Sequence, residues 1–299
     1  MTKAKLASVT ILCMVLGGIP ALAQQLTDTL KKIKDSGSFV IGYRQSSVPF
    51  SFYDERQNVI GYSQDICLRI TDVLKQELRM PHLQVRYVPV TPQNRIPLVE
   101  NGTVDLECGS SSNTIERQKQ VAFSVTTFIV TTRLLTKKGS GIRDFPDLAG
   151  KTVVTTSGTT SERLLHNLNS ERKLGMTIIE GKDHRDSFLA LEAGRAVAFM
   201  MDDVLLYGER AKANNPDEWI VVGMPQTYEA YGMMMRKDDP QFKKLVDGAI
   251  TKLETSGEAD KLYRKWFLSP IPPRGTNLNF VMSSAMLELF RHPTDRAFE

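Results

Sequence analysis

Residues able to do catalytic chemistry are present in this 299-residue chain, but not in catalytic arrangements. There is no Walker-type GxxxxGK loop, no HExxH, no GxSxG and no GxGxxG after a strand pattern. The histidines, His82, His166, His184 and His292, show no metal-ligand spacing with one another or with the cysteines, so neither a metal nor a cofactor is expected. These absences weigh against a hydrolase, a kinase or a metalloenzyme. Gly158-Thr159-Thr160 stands between a strand and a helix pattern, where free N–H groups form an anion site. Asp202 follows a strand at its carboxyl end, where α/β sheets place ligands, and Arg44 ends the first strand in the same way. Taken singly, each also fits a surface ion pair, a helix cap or a turn.

The elements that must position these residues alternate. Strands are expected over 38–43, 50–53, 59–61, 83–89 and 103–107, with the second and third forming a hairpin. Helical spacing appears at Ile66, Ile70, Val73, Leu74 and Leu78, and again over 94–101. A further helix over 114–120 is expected from an Asn113 cap with Glu116 three residues on. The alternation restarts with strands at 151–155, 176–179, 197–200 and 218–222 and helices at 161–168, 187–194 and 204–213. Phe242, Leu245, Val246, Ile250 and Leu253 then form an apolar stripe, residues 261–267 another, and a Pro-rich tail turns helical over 283–290. Such alternation implies an α/β protein with mostly parallel sheets covered on both faces.

The first 23 residues read as a cleaved secretory signal: Lys3 and Lys5, an apolar run over 6–19, and Ala21-Leu22-Ala23. The run is too short to span a bilayer, which needs ~20 residues. Removing it takes away two lysines and no acid, so the formal charge falls from +4 to +2. A mildly basic chain without a Lys/Arg block argues against nucleic acid as a partner. Cys67 lies in a helix pattern and Cys108 in a strand pattern, so both read as small buried apolar residues, although export permits a bridge.

Several segments in order resemble the amino-acid substrate-binding proteins of ABC transporters, bacterial solute-binding protein family 3. They are Gly42-Tyr43-Arg44, Ser47-Val48-Pro49-Phe50-Ser51-Phe52-Tyr53, Gly61-Tyr62-Ser63-Gln64-Asp65, Gln93-Asn94-Arg95-Ile96-Pro97 and Glu107-Cys108-Gly109-Ser110. Glu116-Arg117-Gln118, Thr156-Ser157-Gly158-Thr159-Thr160-Ser161-Glu162, Asp183-His184 and Gly194-Arg195-Ala196-Val197 through Met200-Met201-Asp202-Asp203 continue the series, and the C-terminal extension carries Pro270-Ile271-Pro272-Pro273. The resemblance implies the two-lobed type II periplasmic binding protein fold with a hinge of two crossing strands. Lobe 1 would comprise residues 24–130 and 231–299, with an extension over 268–299, and lobe 2 residues 131–230. The crossings are expected near 131–135 and 230–234. It also implies a monomeric periplasmic receptor that hands its ligand to an inner-membrane ABC permease with its ATPase.

The resemblance assigns Arg117 to the ligand α-carboxylate and Asp202 to the α-ammonium, aided by Ser110, Ser112, Thr160 and Thr159. A planar guanidinium suits the first task. Arg44, Arg95 and His184 resemble the side-chain pocket of the family's acidic-amino-acid binders. If Arg117 and Asp202 balance the backbone groups, a second carboxylate is needed to match Arg44 and Arg95. Glu107 can instead pair with one of these arginines or point to solvent, and His184 can donate charged or neutral. Phe50, Phe52 and Tyr53 resemble the family's aromatic wall, but alternate strand residues face opposite ways, so at least one of them belongs to the core. Pro92 departs from the pattern, which has a serine there, and removes one polar contact. A second reading is an exported prephenate or arogenate dehydratase on the same fold, with Glu107 or Asp202 as its acid; a third is a sensor domain, but no transmembrane segment or signalling domain is attached.

Overall fold

The structure is a computed structural model that describes residues 25–297; the expected signal over 1–23 lies outside the described residues. In chain order, α1 (Asp28–Ser36) and β1 (Ser38–Tyr43) precede β2 (Ser46–Ser47), β3 (Ser51–Tyr53) and β4 (Val59–Ile60). Then come α2 (Tyr62–Glu77), β5 (Gln84–Pro89), α3 (Arg95–Glu100), β6 (Leu106–Glu107), β7 (Val121–Phe123) and the long β8 (Phe128–Lys137). A second series follows: β9 (Thr152–Thr156), α4 (Thr160–Glu171), β10 (Thr177–Gly181), α5 (His184–Glu192), β11 (Ala198–Asp202), α6 (Asp203–Lys212) and β12 (Trp219–Val222). The chain returns through β13 (Tyr228–Tyr231) and β14 (Met234–Arg236), and ends with α7 (Pro240–Thr255), α8 (Glu258–Phe267), β15 (Pro270–Ile271), β16 (Thr276–Asn277) and α9 (Ser284–Arg291).

Two sheets organise these elements. One is five-stranded, in the order β5-β1-β6-β14-β7; the other contains β10-β9-β11-β8-β12, with β13 joined to β8. The helices follow from their apolar stripes. On α7, Phe242, Val246, Ile250 and Leu253 are buried at helical spacing, and Asp239 caps the start by accepting from the Phe242 N–H. The sheets are mixed, not mostly parallel. β1 runs parallel to β5 and β6, and β9 parallel to β10 and β11, but β14 is antiparallel to β6 and β7 and β8 antiparallel to β11 and β12. The antiparallel members are the strands that carry the chain between the sheets. Phe128 to Thr131 of β8 pair with Tyr231 to Tyr228 of β13, while Thr132 to Thr136 pair with β11.

Two local expectations are corrected. The helix expected over 114–120 is a single 3-10 turn, Arg117–Lys119, because the Asn113 side chain accepts from Gln118 Nε2 instead of capping a backbone N–H. Cys67 and Cys108 are bonded as a disulfide, with Cα atoms 6.4 Å apart. Cys67 lies on α2 and Cys108 directly follows β6, so only the tertiary packing brings the two side chains together, a meeting that the local patterns did not reveal.

Candidate functional site

One wall of the cleft is built on the five-stranded sheet. Arg44 follows β1 directly; its side chain is buried, its N–H donates to Ser51 Oγ at 2.9 Å, and its Nη2 lies 3.4 Å from His184 Nε2. Arg95 opens α3 and donates through Nη1 to the Ser110 carbonyl at 3.2 Å and to Ser111 Oγ at 2.6 Å, leaving its buried Nε without a partner. Arg117 opens the 3-10 turn and donates to the Ser112 carbonyl at 2.9 Å and, across the cleft, to the Gly158 carbonyl at 3.4 Å. The stretch Ser110 to Ser112 thus serves both Arg95 and Arg117. Its own hydroxyls are engaged too: Ser110 Oγ donates to Ser47 Oγ, and Ser111 Oγ to Glu107 Oε2 at 2.7 Å.

The opposite wall comes from the other sheet. Asp202 ends β11 and accepts from Ser161 Oγ at 3.2 Å and from the Tyr231 hydroxyl. Thr160, the first residue of α4, donates to Glu229 Oε2 at 2.8 Å. His184 begins α5 with Nδ1 3.0 Å from Thr156 Oγ1. The walls touch. Besides the Arg117 contact, Gln93 Nε2 donates to Ser157 Oγ at 3.0 Å, and Arg163 pairs with Glu116. Pro92 is buried at the same lip, against Gly158.

The electrostatics follow from this closure. Burial, then the neighbouring Arg95, lower Arg44 to about 10 and Arg117 to about 9, so both remain cations at neutral pH. Among the described residues, no carboxylate oxygen lies within 4.0 Å of the Arg44, Arg95 or Arg117 guanidinium. His184 is pushed well below the ordinary imidazole range by burial and by Arg44 and Arg95, and is neutral. The network assigns its proton: Nδ1–H donates to Thr156 Oγ1, leaving Nε2 free to accept from Arg44. Burial and Glu229 raise Asp202 to about 8, so its carboxyl is protonated at neutral pH until a cation approaches.

Of the residues picked out in the sequence, Arg44, Arg95, Glu107, Ser110, Ser112, Arg117, Thr160, His184 and Asp202 come together. Phe52 does not: it packs edge-on against Trp266 in the core, 5.9 Å between centroids, because Ser51 takes the cleft-facing side of β3. Phe50 sits in an aromatic cluster with Tyr62, Phe128, Tyr231 and Phe267, behind the Tyr231 hydroxyl that serves Asp202. Thr159 is the α4 cap and accepts from the Glu162 N–H. The Gly158 N–H is also taken, by the Glu162 carboxylate at 2.6 Å, so the expected anion site shrinks to the remaining first-turn donors. Sequence reasoning missed Tyr231, Ser161 and Glu229; the one signal for Glu229 was an acid beside the expected return crossing. It also missed a carboxylate–imidazole group, Glu162, His166 and Glu180, whose ligand-type atoms lie within 4.8 Å of one another. The protein itself uses these atoms, His166 toward Glu180 and Glu162 toward Gly158.

Residues 39–269 match the model of the bacterial extracellular solute-binding proteins, family 3. A glutamate/aspartate import solute-binding protein of Salmonella typhimurium is 61% identical over 269 residues, covering 90% of this chain and 89% of that one. An L-glutamate/L-aspartate-binding protein of Pseudomonas aeruginosa is 57% identical over 291 residues, covering 97% and 96%. Among solved structures, a mutant of ArgBP from T. maritima superposes with a TM-score of 0.71 at 27% identity, covering 79% of this chain and 98% of that one.

Proposed function

Because the chain belongs to the bacterial extracellular solute-binding proteins of family 3, we propose that it captures L-glutamate or L-aspartate between its two lobes and delivers it to an ABC permease. The observation that carries the reading is the set of three clustered guanidiniums, none of them beside a carboxylate of the described residues. At the side-chain end of the cleft two guanidiniums, Arg44 and Arg95, stand against one acid, Glu107, so positive charge is in excess there whatever the state of Asp202. A side-chain carboxylate matches that excess and an amide does not. Arg117 takes the α-carboxylate with the α4 first turn, and Asp202 the α-ammonium. Arg44 and Arg95, held by Ser111 and neutral His184, take the side-chain carboxylate. Glu107 tempers Arg95 through Ser111 and does not cancel it.

Each charge-assisted bond to that second carboxylate contributes ~1.5–3 kcal/mol. An amide there leaves a buried cation uncompensated, at ~3–5 kcal/mol. Glutamate and aspartate differ by one methylene, ~1–3 kcal/mol, so both are ligands. The assigned lobes are residues 24–130 with 231–299, and 131–230. The receptor acts as a monomer in the periplasm, and the permease with its ATPase is its partner. The curated relatives are named as binding proteins, and no feature of the cleft favours the dehydratase reading over capture. Calorimetric titration with glutamate, aspartate and glutamine tests the proposal: tight binding of the first two and at least hundredfold weaker glutamine binding are expected. Equal affinity for glutamate and glutamine refutes the two-cation pocket.

A further inference from the structure

Gly208 lies inside α6, buried, on the lobe that carries Asp202 and His184. An added Cβ there would stand 2.2 Å from the Val48 carbonyl oxygen and 2.9 Å from its carbon. Val48 belongs to the other lobe, one residue beyond β2, and is itself buried. The obstacle is therefore backbone against backbone across the lobe boundary, and no rotamer change relieves it. The surroundings leave little room for a sideways shift. α6 packs on β8, β11, β12 and α5, and α5 in turn meets β2.

This contact stands behind one end of the cleft. Arg44 lies two residues before β2, and His184 is the first residue of α5. The separation of β2 from α5 and α6 thus sets how closely Arg44 and His184 approach, now 3.4 Å. We infer that Gly208 is a positioning residue for the side-chain end of the ligand site: its missing side chain permits the lobe contact that brings His184 to Arg44 and completes closure. A methyl group there would hold the lobes apart by about the difference between 2.2 Å and an ordinary carbon–oxygen contact. The closed, binding-competent fraction then falls, and the apparent dissociation constant rises as its reciprocal.

The helix supplies its own control. Gly248 lies in α7, and a Cβ there meets nothing within 4 Å. Glycine to alanine favours a helix interior at both positions. Gly208→Ala and Gly248→Ala therefore make the same local change, and only the first obstructs the lobe contact.

The inference rests on the acidic-ligand reading above, and the experiment separates the two. Wild type, Gly208→Ala and Gly248→Ala are titrated with glutamate and with aspartate, and their radii of gyration are measured by small-angle scattering without ligand and at saturation. Thermal unfolding is recorded without ligand. Gly248→Ala should match wild type. Gly208→Ala should bind both ligands at least tenfold more weakly, stay larger than wild type at saturation, and unfold at no lower temperature. Unchanged affinity, wild-type compactness at saturation, or a lowered ligand-free unfolding temperature would each overturn it. Failure of wild type to bind glutamate or aspartate would sink the functional reading alone; the same comparison would then be made with L-glutamine.

Discussion

Asp202 should make ligand capture release a proton. Its carboxyl sits at about 8 in the ligand-free cleft, raised first by burial and then by Glu229. The arriving α-ammonium reverses that balance, since an opposite charge at contact favours the ionised form. The sign follows directly: below about pH 8 the proton must leave before the ammonium can pair, so affinity rises with pH up to that value. At pH 7 roughly one molecule in ten carries the ionised group, and at pH 6 roughly one in a hundred. The dissociation constant should therefore fall about tenfold per pH step below 7 and by about fiftyfold between pH 6 and pH 8, worth ~2.3 kcal/mol. His184 adds nothing to this slope, being neutral throughout the window. The upper limb is set by Arg117, lowered to about 9, so affinity should peak between the two values. Calorimetry at pH 7 in buffers of different ionisation enthalpy should count about 0.9 proton released per glutamate bound. Asp202→Asn keeps the shape and removes the titration; its binding should be weak and flat from pH 6 to 8. A wild-type affinity that is constant from pH 6 to 8, with no proton released, refutes the reasoning.

Other substitutions separate the remaining roles. Arg117→Ala should abolish binding of every amino acid, since it removes the α-carboxylate grip, whereas Arg95→Ala should mainly reduce the preference for glutamate over glutamine; full retention of that preference counts against Arg95. Glu254 is buried on α7 with neither carboxyl oxygen bonded, and burial raises it to about 9. Such a raised value contributes stability that is complete below its unfolded value near 4.5 and is lost as pH rises through about 9, so Glu254→Met should unfold at a higher temperature at pH 7, by roughly 2–3 kcal/mol, and flatten the decline from pH 5 to 9. The Cys67–Cys108 bridge closes a loop of sequence separation 41, so the paired change Cys67→Ala with Cys108→Ala should cost ~4 kcal/mol in chemical denaturation while leaving glutamate selectivity intact.

Much of the architecture can be read locally. A stripe such as Phe242, Val246, Ile250 and Leu253 specifies a helix and its buried face because side-chain direction repeats every 3.6 residues. Arg44 and Asp202 were legible as cleft-facing residues for a similar reason: one directly follows β1 and the other ends β11, and strand ends at the carboxyl edge of an α/β sheet face a crevice. Other features depend on partners distant in sequence. Phe52 turned to Trp266, Cys67 met Cys108, and Glu229 joined Asp202 once β13 had paired with β8. The charge states belong to the same class. Neutral His184 and protonated Asp202 are products of burial and of charged neighbours distant in sequence, which no local pattern encodes. The residue types of the cleft are thus written along the chain, but their protonation and spacing are set by burial and by partners that only the folded chain brings together.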